Sequence, residues 1–253
     1  VEPADLYLDL LKKSLTATLF AQEPDHDQES QSQFLRGFVS HYIRGAALTM
    51  LPLIRLNHLQ HCIADVVRRA VPGDLIETGV WRGGATIFMR GALKAFGVTD
   101  RKVWVADSFE GLPASDAERF PLEAKALAGP FLANACNHLA VGIEDVQRNF
   151  AAYGLMDEQV HFLKGWFRDT LPDAPIERLA VMRLDGDLYD STRDALVNLY
   201  DRLSTGGYVI IDDYGEDGWT YCRRAVDEFR AERRIADPLI RIDSRCYFWQ
   251  RSV

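Results

Sequence analysis

Residues 74–84 read Asp-Leu-Ile-Glu-Thr-Gly-Val-Trp-Arg-Gly-Gly. The first five suit a short buried strand, and the glycines after them suit a tight turn into a helix from about Ala85. Glycine lets a backbone turn sharply and come close to a ligand. A helix N-terminus adds unpaired amides. In a doubly wound α/β sheet, ligands bind outside the carboxyl ends of the strands, where such a turn lies. A dinucleotide-binding turn wants G-x-G-x-x-G; this one is E-x-G-x-x-x-G and opens with an acid. A carboxylate at Glu77 repels a pyrophosphate but can position the ammonium of a methionine moiety. The plain alternative is an ordinary glycine-rich βα turn.

Further strands are expected on both sides of that turn. Apolar runs recur at 102–107 (KVWVAD), 159–164 (QVHFLK), 179–185 (LAVMRLD) and 207–212 (GYVIID), then at 239–242 (LIRI) and 247–249 (YFW). The first five strands, counting 74–78, are far enough apart for crossover helices, which predicts a mostly parallel sheet. The last two are joined by a few residues around Asp243–Arg245, which demands a hairpin and one antiparallel strand. The expectation is a seven-stranded sheet preceded by a helical extension over residues 1–70. In that extension, residues 5–20 place Leu6, Leu10 and Leu11 near one helical face, with Asp5 able to cap. Residues 22–35 are polar and read as a mobile loop. A second helix over about 54–70 carries Leu56, Leu59, Ile63, Val66 and Val67, and Val71-Pro72-Gly73 ends it. The broad apolar face of Leu6, Leu8, Leu10 and Leu11 needs cover from its own core or from a partner, and predicts a homo-oligomer, a dimer or larger.

Composition narrows the function classes. The chain has 253 residues, is 47% hydrophobic and carries a net charge of −8. A core is available, and an acidic chain is a poor ligand for nucleic acid or an anionic membrane. No stretch of about 18 apolar residues exists to span a bilayer. Cys62, Cys136, Cys222 and Cys246 are scattered with no CxxC pair, which reads as reduced, buried thiols. With no basic-then-apolar signal pattern at the start, a cytoplasmic location is expected.

The strand ends carry the chemistry. The second ends in Asp107-Ser108, where an acid can accept both ribose hydroxyls or can cap a loop. The third is followed by Lys164-Gly165-Trp166-Phe167, whose indole can stack on adenine or pack into the core. The fourth ends Arg183-Leu184-Asp185-Gly186-Asp187, and the fifth Ile211-Asp212-Asp213. Adjacent parallel strands bring these acids to one edge, where like charges repel. A hard divalent cation, Mg²⁺ by its oxygen ligands, relieves that repulsion. The alternative is that the acids cap turns. A cation beside a hydroxyl acidifies it, and a neighbouring carboxylate can then take its proton.

Long stretches of this chain resemble the macrocin/mycinamicin O-methyltransferase family, which includes the noviose O-methyltransferase of aminocoumarin biosynthesis. The matching stretches include LYLDLLKKSLT, RLNHLQHC, VPGDLIETGVWRGGATIFMRG, VWVADSFEGLP, RLDGDLYDST and LSTGGYVIIDDYG. The resemblance implies a Rossmann-like class I methyltransferase domain over 71–253. It also implies S-adenosylmethionine, Mg²⁺ and methylation of a deoxysugar hydroxyl on a secondary metabolite. Carried over by motif, Glu77, Thr78, Gly79, Asp107, Ser108 and Trp166 contact the cofactor. Asp187, Asp212 and Asp213 hold the metal, Asp187 is the base, and Asp185 is a rival for the metal. Met50 matches a methionine near the acceptor. Residues 21–48 and 113–142, with His138, depart from the family, and the second of these stands where the acceptor is covered. A metal-dependent hydrolase or lyase and a non-catalytic scaffold are the competing readings.

Overall fold

A computed structural model describes residues 2–19, 45–129, 138–215 and 220–252. The polar stretch 22–35 and Cys136 lie outside the described residues. Seven strands form one sheet: β1 (Asp74–Thr78), β2 (Val103–Asp107), β3 (Val160–Lys164), β4 (Leu179–Leu184), β5 (Leu203–Ile211), β6 (Ile240–Arg241) and β7 (Tyr247–Gln250). Their order is β3-β2-β1-β4-β5-β7-β6. Strands β1 to β5 pair in parallel, and β7 enters antiparallel between β5 and β6, as expected.

Eight α-helices are present among the described residues: α1 (Pro3–Leu15), α2 (Leu53–Arg68), α3 (Gly84–Ala95), α4 (Pro121–Ala128), α5 (Ile143–Ala152), α6 (Phe167–Thr170), α7 (Tyr189–Leu199) and α8 (Thr220–Glu232). The central strands are buried on both sides, so they read as continuous apolar runs rather than alternating ones. Leu75, Val103 and Val105 face one core layer with α1, α2, α3 and α5. Ile76, Trp104 and Met182 face the other with α7 and α8. Helix α1 starts earlier than expected, at Pro3, with Glu2 at its N-cap and Asp5 inside the first turn. It buries Leu8, Leu11 and Leu15 and leaves Leu6 and Leu10 exposed.

Two junctions set the functional edge. Register pairs Thr78 with Ala106 and Leu184, and Leu184 with Ile211. Strands β1, β4 and β5 therefore end level, and the residues after them meet. The strand order reverses between β1 and β4, which is where a doubly wound sheet opens its crevice.

Candidate active site

The turn after β1 spends its glycines on its own chain. Gly79 has φ +86°, and a β-carbon there would lie 2.0 Å from the Asp185 carbonyl oxygen. Gly84 donates its amide to the Leu48 carbonyl at 2.9 Å, and a β-carbon on Gly84 would strike that oxygen. Arg82 donates to the carbonyls of Gly45 and Ala47 at 3.1 and 2.8 Å. The segment 45–52 is thus laid across the turn. Met50, partly buried, lies in it, five residues before Arg55 on α2.

Asp107 also serves this turn. Its carboxylate accepts from the Val80 amide at 2.7 Å and the Phe109 amide at 2.8 Å. Ser108 donates to the Gly111 carbonyl at 2.8 Å. The capping alternative is therefore real for Asp107. The Trp81 amide bonds to its carboxylate as well, and the Ser108 hydroxyl lies 3.4 Å from Oδ1. A carboxylate with about four lone-pair sites is thus nearly filled by its own turn, and a ligand there would share or displace one of these donors. Trp166 is half-buried at the N-terminus of α6. The indole of Trp81 donates to the His138 carbonyl at 2.9 Å, so it is the backbone of His138 that joins the site's margin.

The acids meet as the strand ends predict, but with a counter-charge that sequence reasoning missed. Arg183 is fully buried in β4, beside Glu77 in register. Its Nη1 donates to Glu77 Oε1 and, at 2.9 Å, to Asp185 Oδ2; its Nη2 donates to Asp212 Oδ1 at 2.5 Å. A second arginine comes from α2: Arg55 Nη1 donates to Asp212 Oδ2 at 2.8 Å. Burial raises the Asp212 carboxyl, but Arg183 and Arg55 outweigh it and hold it below the usual range. Glu77 rises to about 7, because burial exceeds the pull of Arg183. Its second oxygen, Oε2, is buried with no partner.

Asp185, Asp187 and Asp213 form the open part of the cluster. One oxygen from each lies within 4.8 Å of the others, a spacing that suits one cation. Burial, then the neighbouring carboxylates, pushes Asp187 well above the usual range; burial, with those neighbours adding to it against Arg183, does the same for Asp185. Burial and Asp212 push Asp213 to about 6. Asp187 stands at φ +57°, an uncommon conformation for a residue with a side chain, and α7 follows with no capping side chain at Leu188. Asp187 is therefore not the cap of that helix.

A family model described as macrocin O-methyltransferase (TylF) matches residues 43–251. The chain belongs to the macrocin O-methyltransferase family. It is 49% identical over 255 residues to the 8-demethyl-8-(2,3-dimethoxy-alpha-L-rhamnosyl)-tetracenomycin-C 4'-O-methyltransferase of Streptomyces olivaceus, covering 98% of this chain and 93% of that one. It is 48% identical over 254 residues to the demethyldecarbamoylnovobiocin O-methyltransferase of Streptomyces niveus, covering 98% and 94%. The solved structure of the O-methyltransferase NovP matches with a TM-score of 0.85 at 48% identity, over 99% of this chain and 100% of that one. The fold is that of class I methyltransferases, and this macrocin-family member is an O-methyltransferase. The hydrolase, lyase and scaffold readings that the acids alone left open fall away.

Proposed function

We propose that this enzyme transfers the methyl group of S-adenosylmethionine to a hydroxyl of a deoxysugar or related diol on a secondary metabolite, with Mg²⁺ at the acid edge. The observation that carries the reading is the carboxylate cluster of Asp185, Asp187 and Asp213 at the carboxyl ends of β4 and β5, next to the turn after β1. The relatives' names give a tetracenomycin that bears a rhamnosyl group and a novobiocin derivative as the molecules methylated.

The residues present fit both small molecules. Glu77 keeps a buried, unpartnered oxygen, which suits the cationic methionine end of the donor. Thr78 and Gly79 belong to the same turn; Asp107 and Ser108 would meet the ribose, and Trp166 would stack on adenine. Met50 is assigned to the acceptor side. Asp185, Asp187 and Asp213 would hold the cation. Asp212, expected as a further ligand, lies outside that trio with one arginine on each of its oxygens, and would join it only through the lone pairs left over. A bound divalent cation supplies Lewis acidity toward an acceptor hydroxyl and neutralises the clustered charge. Asp187 takes the hydroxyl proton, with Asp185 the competing assignment. The displacement is in line, so residues that fix the acceptor's place supply much of the rate.

The test uses labelled S-adenosylmethionine with a panel of glycosylated and phenolic acceptors. Label on a deoxysugar oxygen is expected; transfer to phenols alone overturns the acceptor class. Excess chelator should abolish turnover while S-adenosylmethionine still binds, and full turnover by metal-stripped enzyme ends the cation reading. Asp187→Asn should lose far more kcat than donor affinity. An inactive Asp185→Asn beside a near-normal Asp187→Asn reverses the two roles.

A cytoplasmic location and a homo-oligomer complete the proposal. Cys62, Cys222 and Cys246 are buried free thiols, and Leu6 and Leu10 leave an apolar strip on α1. A monomeric mass by light scattering at micromolar concentration removes the oligomer.

A further inference from the structure

Arg55 belongs to α2, a helix that precedes the first strand, yet its guanidinium ends among the catalytic acids. An arginine keeps its charge wherever it is placed, so a buried one must be given partners. Arg55 has two carboxylates from two further elements. Its Nε and Nη2 donate to Asp243 at 2.5 and 3.1 Å, a two-pronged pairing. That fork leaves Nη1 aimed at Asp212 Oδ2, 2.8 Å away. Asp243 is itself fixed in the β6–β7 turn, where its Oδ1 accepts the amides of Arg245 and Cys246 at 2.9 and 2.8 Å. Buried ion networks of this kind are weak sources of stability, because desolvation offsets most of the attraction. Their gain is in fixing direction.

We propose that Arg55, oriented by Asp243, is a positioning residue for methyl transfer: it fixes the Asp212 carboxylate at the acid edge and ties the acceptor-side segment before β1 to that edge. The inference rests on the reading of those acids as the cation site. The geometry shows how the device works. Arg183 holds one oxygen of Asp212 from within the sheet, and Arg55 holds the other from the helix layer. Gripped from two sides, the carboxylate cannot rotate, and the adjoining Asp213 inherits a fixed backbone. The chain that delivers Arg55 is the one laid across the glycine turn through Gly45, Ala47 and Leu48. The donor turn, the assigned acceptor contact Met50 and the acid edge are thereby joined through one short stretch.

The experiment compares wild type, R55K, R55Q, D243N and the R55Q/D243N pair by Mg²⁺ calorimetry, steady-state kinetics and thermal melting. Loss of a group that orients metal-binding carboxylates costs about 10–100-fold in affinity or activity. R55Q is expected to lose Mg²⁺ affinity and kcat on that scale at unchanged KM for the donor. R55K should recover part of the loss, having the charge without the fork. D243N should lose less than R55Q and add nothing to it in the double variant, because Asp243 acts through Arg55. A folded R55Q with wild-type kcat and Mg²⁺ affinity overturns the proposal, as does a loss confined to melting temperature. Additive losses in the double variant overturn the role given to Asp243. If R55Q does not fold, R55K decides by the same readouts. If wild type binds no Mg²⁺ and turns over fully in chelator, it is the cation reading that fails. A fall in kcat for R55Q at unchanged donor KM then still supports Arg55, and an unchanged kcat overturns it.

Discussion

Gly79 sits where a β-carbon cannot go. Its φ is +86°, and the Asp185 carbonyl would be 2.0 Å from an added methyl. Gly79→Ala must strain the backbone and push β1 and β4 apart at their carboxyl ends, which should cost about 2 kcal/mol or more. Chemical denaturation should show that loss together with weakened donor binding; wild-type stability in the variant would mean the two strand ends do not approach this closely. The glycines of 79–84 were legible as a tight turn into a helix, but not what packs against them. Their close neighbours, Leu48 and Asp185, are distant in sequence, and spacing rules see only local chain. Arg183 left a trace: a lone cation inside the apolar run LAVMRL must be buried with acids around it. Arg55 left none, because one arginine in an amphipathic helix looks like a solvated face.

At the scale of elements, α7 depends on a residue from elsewhere in the chain. It begins at Tyr189, directly behind Asp187, and Leu188 offers no cap. Glu123, buried on α4, supplies one: its Oε2 accepts the Tyr189 amide at 3.1 Å, while its Oε1 takes the Ser115 hydroxyl at 2.6 Å. Phe120 adds ring contacts at 4.6 Å to Tyr189 and 5.4 Å to Tyr221. The described part of the segment 113–142 is therefore fastened to the helix that follows the acid loop. Glu123→Ala should cost about 1 kcal/mol, the worth of a helix cap, and Glu123→Gln should recover most of it because an amide oxygen still accepts. Hydrogen exchange at residues 189–192 should quicken in the alanine variant; unchanged exchange would show that Glu123 is not the cap. Seven strands were readable because apolar runs between turn residues are local patterns. The cap was not, since its partners are 66 positions apart. Sequence singled out His138 in that segment, yet the contact it makes with Trp81 is through its carbonyl, which any residue provides.

The whole molecule shares its core more widely than a boundary at residue 70 suggests. Leu8, Leu11 and Leu15 from α1 and Leu56, Leu59 and Ile63 from α2 lie in the same buried cluster as Leu75, Val103 and Val105 of the sheet. The fit is close: a β-carbon on Gly91 of α3 would lie 2.4 Å from Leu11 Cδ2. Composition could place the helices before the sheet, but only packing shows which surface they cover. Helices that bury one face of a sheet cannot leave without exposing it, so the N-terminal helices and the sheet should unfold together. The strand residues Trp104 and Trp249 report on the sheet by fluorescence, while far-ultraviolet dichroism reports on all the helices. The two denaturation curves of the wild type should coincide. Leu11→Ala should remove about 2–5 kcal/mol, the usual loss for truncating a buried leucine, and should shift both curves by the same amount. Were α1 and α2 a separate unit, Leu11→Ala would shift an early dichroism transition and leave the tryptophan curve in place. Coincident shifts would also bear on catalysis, since α2 carries Arg55. A packing defect at α1 that loosened α2 would then lower kcat without touching an acid, and kcat should fall in Leu11→Ala before global unfolding begins.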